Sequence, residues 1–203
     1  MSSVPPTLVV SHKPLIANVW DGGVGTSHAA LRSLFLVLVG TALLTLSAKI
    51  NLPLPLVPMT LQTLVVLMIG ATFGSRLGAV TLAAYLAEGA FGLPVFAGPT
   101  AGIAALIGPT AGYLFGFVAA AAIVGWFAER GFDRSVLALF FAMAIGHLVI
   151  LGCGFGWLAF GLQLGAAKAW AVGVVPFIAA SLVKNALGAT LLPALRRLTD
   201  RRP

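Results

Sequence analysis

The residues that could do chemistry begin with "SLVKNALGA", Ser181–Ala189, where a lysine interrupts an otherwise apolar run. If one helix covers Trp170–Leu195, the Lys184 ammonium lies on the order of 20 Å from either end, at about 1.5 Å per residue. Snorkelling covers about a turn or two, and leaving the cation in hydrocarbon costs about 2.5–3.5 kcal/mol on the mildest scale. Lys184 is therefore expected to face a bundle interior or a wet cavity. Ser181 precedes it by three residues and Asn185 follows it by one, so all three fall on or near one helical face. Together they supply an arc of donors in an apolar setting, the composition of a buried binding site. A structural role stands beside this one and is compatible with it. Glu88 is the acid that lies within the apolar segments, whereas Asp21, Glu129, Asp133 and Asp200 lie in tails or a loop. A Lys184–Glu88 pair would tie two helices together.

The other polar groups inside apolar runs are His147, Tyr85, Tyr113, Gln62 and Thr60. A lone mid-helix histidine suits an interhelical hydrogen bond. It lacks the nearby His or Cys partners of a metal site, so no metal or cofactor is expected. The tyrosine hydroxyls need partners if buried, and both flank the loop after the third helix. Gln62 and Thr60 open the second span, where they can cap it or face a pocket. Enzymatic readings find little support. There is no HExxH, G-x-S-x-G or Walker A sequence, and a Ser181–Lys184 dyad would have no oxyanion device. Cys153, the single cysteine, excludes an internal disulfide and reads as a small packing residue.

These side chains need elements to hold them, and composition says which kind. Of 203 residues, 60% are hydrophobic and only 8% charged, with a mean hydropathy of +1.06. That leaves too little polar surface for a water-soluble domain. The fold class is an all-α membrane protein with six transmembrane helices, expected near Leu31–Ala48, Leu56–Phe73, Leu77–Phe91, Thr110–Ala128, Val136–Phe160 and Trp170–Leu195. Residues 1–26 read as a cytoplasmic tail, too rich in proline and charge for a signal peptide, and residues 27–203 as a single six-helix membrane domain. Alternation of the spans puts Lys13, Arg32, Arg76, Arg130, Arg134, Arg196, Arg197, Arg201 and Arg202 on one side and Lys49 and Lys168 on the other. By the positive-inside rule both termini are cytoplasmic. The net charge of +7 is thus a topology signal, the tail cations facing anionic lipid headgroups. No motif context favours nucleic acid as a partner. Two Pro/Gly-rich loops, "INLPLPLVPMT" and "GLPVFAGPTAG", fall on the external side. They are too apolar for solvated loops and too proline-rich for helix. They read either as a lid over an outward-opening pocket or as tight greasy connectors.

Loops and lysine coincide with a known pattern. "PLPLVPMTLQTLVVLMIGATFGSRLGAVTLAAYLAEGAFGLPVFAG" (Pro53–Gly98), "LIGPTAGYLFGF" (Leu106–Phe117) and "GVVPFIAASLVK" (Gly173–Lys184) resemble the BioY family, in order and with matching spacing, over nearly all of the chain after residue 30. The resemblance implies a biotin-specific S component of an energy-coupling factor (ECF) transporter, not an enzyme. It further implies a multi-pass protein of the inner (plasma) membrane, an external biotin site closed by the first loops, and partnership with a transmembrane T component and two ATPases. An S component or small carrier for a different vitamin is the alternative reading. Similar family members carry Asp-x-x-Lys in the last helix; here the lysine is Lys184, but Ser181 stands at the aspartate position. The implied pocket is walled by Phe96, Tyr85 and Tyr113, with Lys184 at its base, and Glu88, Gln62, Ser181 and Asn185 within reach. The family also approaches its T component through small residues of the first helix, for which Thr41 and Thr45 are the match here.

Overall fold

The computed structural model describes residues 26–98 and 100–199. The expected tail, residues 1–26, lies outside them apart from Thr26, as do Arg201 and Arg202. A long apolar run without proline gives α1, Thr26–Lys49. The first Pro-rich loop follows and folds back on itself as a short hairpin, β1 (Asn51–Leu52) against β2 (Met59–Thr60), with Asn51 opposite Thr60. Next come α2 (Gln62–Phe73), α3 (Ser75–Ala90), the short α4 (Ile103–Ile107) and α5 (Ala111–Ala128). A 3-10 turn at Phe132–Arg134 leads into α6 (Val136–Gly156), which widens into a π turn at Trp157–Gly161. The chain ends on α7 (Ala166–Gly173) and α8 (Val175–Thr199).

Among the described residues, four helical stretches are long and apolar enough to cross a membrane: α1 from His28, α5, α6 with its π turn, and α7 with α8. The second expected span, Leu56–Phe73, is shorter than its apolar length suggests. Pro53, Pro55 and Pro58 cannot donate to a helix, so residues up to Leu61 stay in the hairpin, where the Leu61 amide bonds Ile50 O at 3.0 Å. α3 begins at Ser75, two residues before its expected start, because the Glu129 carboxylate caps it. It accepts from the Ser75 amide at 2.7 Å and from its hydroxyl at 2.8 Å. The residues after α3 hold α4, which the sequence reading leaves as loop.

The sixth expected helix is broken at Val174. In a regular helix Phe177 N–H would bond to Gly173 O; here it bonds to Val174 O at 3.0 Å, and Pro176 has no amide hydrogen to offer. Gly173 O instead accepts from the Tyr113 hydroxyl at 2.7 Å. The carbonyl released by the break is thereby satisfied inside the protein, as an apolar surround requires.

α5 is the central element, packed on α2, α3 and α6. Its neighbours approach closely because small residues line the crossings: a Cβ on Gly70 would come within 2.5 Å of Ala121 O, and one on Gly125 would strike the Ser75 amide. Such contacts suit helix pairs in lipid, where packing rather than the hydrophobic effect drives association. Outward positions carry exposed Leu31, Leu137, Leu148, Leu182 and Trp170, a surface matched to acyl chains. Arg196 departs from its expected place among lipid headgroups. It is 2% exposed and paired with fully buried Asp133, so the 3-10 turn is fastened to the end of α8.

Candidate functional site

α8 turns one stripe inward. Phe177, Ser181, Asn185, Gly188, Leu192 and Arg196 are buried at helical spacing, while Leu182, Val183, Ala186 and Leu187 are exposed. Lys184 sits at the edge of this stripe, half-buried. Between the stripe, the hairpin, α2, α5 and α6 lies a cavity with about 600 Å³ of empty space counted out to its mouth.

The Lys184 ammonium forms the cavity's polar floor. Nζ donates to Thr60 O at 2.6 Å and to Thr63 Oγ1 at 3.0 Å, which ties α8 to the start of α2. An ammonium has three donors, so one remains for an occupant. Lys184 therefore does not take Glu88 as its partner. α3 packs on α1, α2 and α5 rather than α8, and Glu88 is half-buried there, outside the cavity wall. Ser181 lies on the wall, one turn from Asn185. Asn185 is behind it, 1% exposed, with Oδ1 at 2.7 Å from His147 Nδ1. His147 itself reaches the wall.

The aromatic residues divide into wall and support. Phe96, Tyr113, Phe117 and Phe177 line the cavity. Tyr85 stands one layer back. Its hydroxyl donates to Val95 O at 2.7 Å and accepts from Gln62 Nε2 at 2.7 Å, while its ring meets Phe96 edge-on at 5.3 Å. Phe96 can enter because Gly89 has no side chain; a Cβ there would overlap its ring. Lys49, at the end of α1, donates to Pro94 O and Phe96 O, both at 2.8 Å. The loop carrying Phe96 is thus anchored from below by Tyr85 and from the side by Lys49. Sequence reasoning passed over Lys49, Thr63, Phe117 and Phe177. The available signal was a cation directly preceding the Pro-rich loop, at a helix C-terminus whose carbonyls favour it.

Of the two threonines of α1, Thr41 faces inward and Thr45 is half-buried. Thr41 is 4% exposed and donates to Leu38 O, and the Thr45 hydroxyl donates to Thr41 O at 2.9 Å. The outward face of α1 is built from Leu31, Leu34, Phe35, Leu38 and Ala42.

The arrangement is suited to binding rather than bond-making. Lys184 is committed to Thr60 and Thr63, which leaves it poorly placed as a base for Ser181. Among the described residues no group of three His, Cys, Asp or Glu could hold a metal ion. What remains is an apolar slot with a cationic donor and a few neutral polar groups at one end.

Fold and cavity together define a multi-pass helical membrane protein with a small internal site. A family model described as the BioY family matches residues 21–201, and the chain belongs to that family. It is 36% identical over 169 residues to "Biotin transporter BioY" of Thermotoga maritima, covering 83% of this chain and 98% of that one. It is 34% identical over 172 residues to "Biotin transporter BioY2" of Lactococcus lactis, covering 83% and 94%. It is 38% identical over 161 residues to "Probable biotin transporter BioY" of Pyrococcus horikoshii, covering 79% and 94%. Among solved structures, the S-component for biotin from an ECF-type ABC transporter superposes with a TM-score of 0.75 at 24% identity, over 86% of this chain and 95% of that one. That likeness supports the fold.

Proposed function

We propose that this chain is the biotin-binding S component of an ECF transporter. It binds the vitamin from outside and is energised by a T component and two ATPases. The observation that carries the reading, beyond family membership, is the Lys184 ammonium held by Thr60 and Thr63 at the polar end of an otherwise apolar slot. Biotin is an apolar bicycle with a ureido head, and its carbonyl is a natural acceptor for the remaining Lys184 donor. Ser181 offers a neutral hydroxyl beside it, and Phe96, Tyr113 and Phe177 pack on the ring. Gln62 lines the wall beside them, and Tyr85 and Asn185 hold these residues in place.

The protein resides in the inner (plasma) membrane, with α2 and α3 completing six spans, residues 27–203 forming one domain and both termini cytoplasmic. The loop bearing Phe96 serves as the lid, with Lys49 and Tyr85 as its anchors. The outer face of α1, leucine-rich and bordered by half-buried Thr45, is the surface offered to the T component.

Tritiated-biotin binding to the purified protein, with riboflavin and thiamin as competitors and no nucleotide present, tests the reading. Saturable binding displaced by biotin alone is expected. Preference for either competitor overturns it in favour of a carrier for a different vitamin.

A further inference from the structure

His147 lies midway along α6, 3% exposed, on the cavity wall. Its Nδ1 is 2.7 Å from Asn185 Oδ1. A carbonyl oxygen can only accept, so Nδ1 carries the ring proton, and in the neutral imidazole Nε2 then presents a lone pair. Nε2 is buried and has no hydrogen-bond partner in the protein. Buried acceptors are seldom left unpaired in folded proteins, and each that is calls for a use.

None of the polar groups around it donates to Nε2. The Gln62 amide is bonded to the Tyr85 hydroxyl, the Tyr113 hydroxyl to Gly173 O, and the Lys184 ammonium to Thr60 and Thr63. Ser181, one turn before Asn185 on the same face of α8, is the nearest polar residue in register. A ring N–H entering this end of the slot would satisfy the orphaned atom.

We propose that His147 is a specificity-determining contact whose Nε2 accepts a hydrogen bond from a ureido N–H of bound biotin, with Asn185 as the positioning residue that fixes the tautomer. This rests on the biotin reading above. A ureido head has one acceptor and two donors; Lys184 serves the carbonyl and His147 one of the N–H groups. A ligand of the same shape without that N–H leaves Nε2 unpaired, which is how a buried polar group discriminates strongly against an isostere.

The test combines calorimetric titration with ¹⁵N spectra of protein labelled at histidine. Wild type, H147Q and H147F are titrated with biotin and with analogues methylated on each ureido nitrogen in turn. H147F is expected to weaken biotin by about tenfold or more, the loss of one hydrogen bond to a buried group, while H147Q, which keeps an acceptor, stays within about threefold. Methylation of the nitrogen facing His147 weakens wild type but adds no further loss in H147F, the non-additivity of a direct contact. In wild type the Nε2 resonance, assigned by its disappearance in H147Q, is that of an unprotonated nitrogen and moves on saturation with biotin. An Nε2 signal unmoved by biotin overturns the proposal, as does wild-type affinity in H147F or equal losses in H147F for biotin and both analogues. If H147F fails to fold, H147Q and the wild-type spectrum decide. Absence of biotin binding by wild type overturns both this contact and the function on which it rests; loss of the contact alone leaves that function standing.

Discussion

Lys184 joins two elements and also faces the cavity, and these roles separate experimentally. Its ammonium bridges to Thr60 O and Thr63 Oγ1, so Lys184→Met removes two internal bonds along with the ligand donor. Biotin affinity is expected to fall about ten- to a hundredfold, corresponding to roughly 1–3 kcal/mol for a lost charged donor, with a modest drop in thermal stability in detergent. Insertion is unaffected or improved, since the costly cation has gone. Because Glu88 is not the partner, Glu88→Gln leaves affinity unchanged and gives no rescue in the Lys184→Met background. Rescue in the double variant, read by the same binding assay, would restore the ion-pair account. Much of the cavity's polar end is legible in the sequence for one physical reason: a polar side chain in an apolar helix has few explanations, which marks Lys184, Ser181 and Asn185 as site residues and His147 as an interhelical hydrogen-bonder. Lys49 is less legible: its place before the Pro-rich loop at a helix C-terminus is a local signal, but the carbonyls it holds, Pro94 and Phe96, lie 45 and 47 residues away. Glu88 stands out for the same reason as Lys184, but its helix packs on α1, α2 and α5 rather than on α8.

Helix ends explain where expectation and structure part. α5 begins within one residue of its expected start and ends at Ala128, because Pro109 precedes it and Glu129 and Arg130 follow; both signals are local. α2 and α8 depart further, since apolar character continues through prolines near their starts that lack the amide hydrogen of a helix, although Pro193 within α8 is accommodated, and only the partner that accepts or donates instead (Ile50 O for Leu61, Tyr113 for Gly173) shows how the backbone is satisfied. Close crossings are likewise invisible in one dimension, since many of the 24 glycines look alike in sequence. The structure separates them. A Cβ at Gly125 meets the Ser75 amide and the Gly74 carbonyl carbon, whereas one at Gly152 meets nothing within 4 Å. Gly125→Ala therefore overpacks a backbone crossing, at about 1–3 kcal/mol, which outweighs the gain of up to about 1 kcal/mol in helix propensity. Gly152→Ala keeps only the propensity gain. Thermal unfolding in detergent should rank Gly152→Ala at or above wild type and Gly125→Ala below it; equal midpoints would mean that the α3–α5 crossing can open without cost.

Across the whole molecule, contacts sort the loops into two ends. Glu129 caps α3 at Ser75, and Asp133 pairs with Arg196, so the α2–α3 turn, the α5–α6 turn and the end of α8 gather together. Arg76, Arg130, Arg134 and Arg197 belong to that end. Lys49, by contrast, holds the loop over the cavity mouth, and Lys168 opens α7. Cytoplasmic loops carry the excess of lysine and arginine, so the arginine-rich end is expected inside and the cavity mouth outside, the orientation an uptake protein needs. Two exposed positions test this in a Cys153→Ser background, which removes the native thiol: Arg134→Cys at the arginine-rich end and Ala167→Cys at the start of α7. In right-side-out membrane vesicles an impermeant maleimide should label Ala167→Cys at once and Arg134→Cys only after permeabilisation. The prediction does not hinge on the single charge removed, because Arg76, Arg130, Arg196 and Arg197 remain at the same end. Immediate labelling at residue 134 with protection at residue 167 would invert the protein, place the cavity mouth in the cytoplasm and leave the Phe96 loop facing the wrong side for uptake.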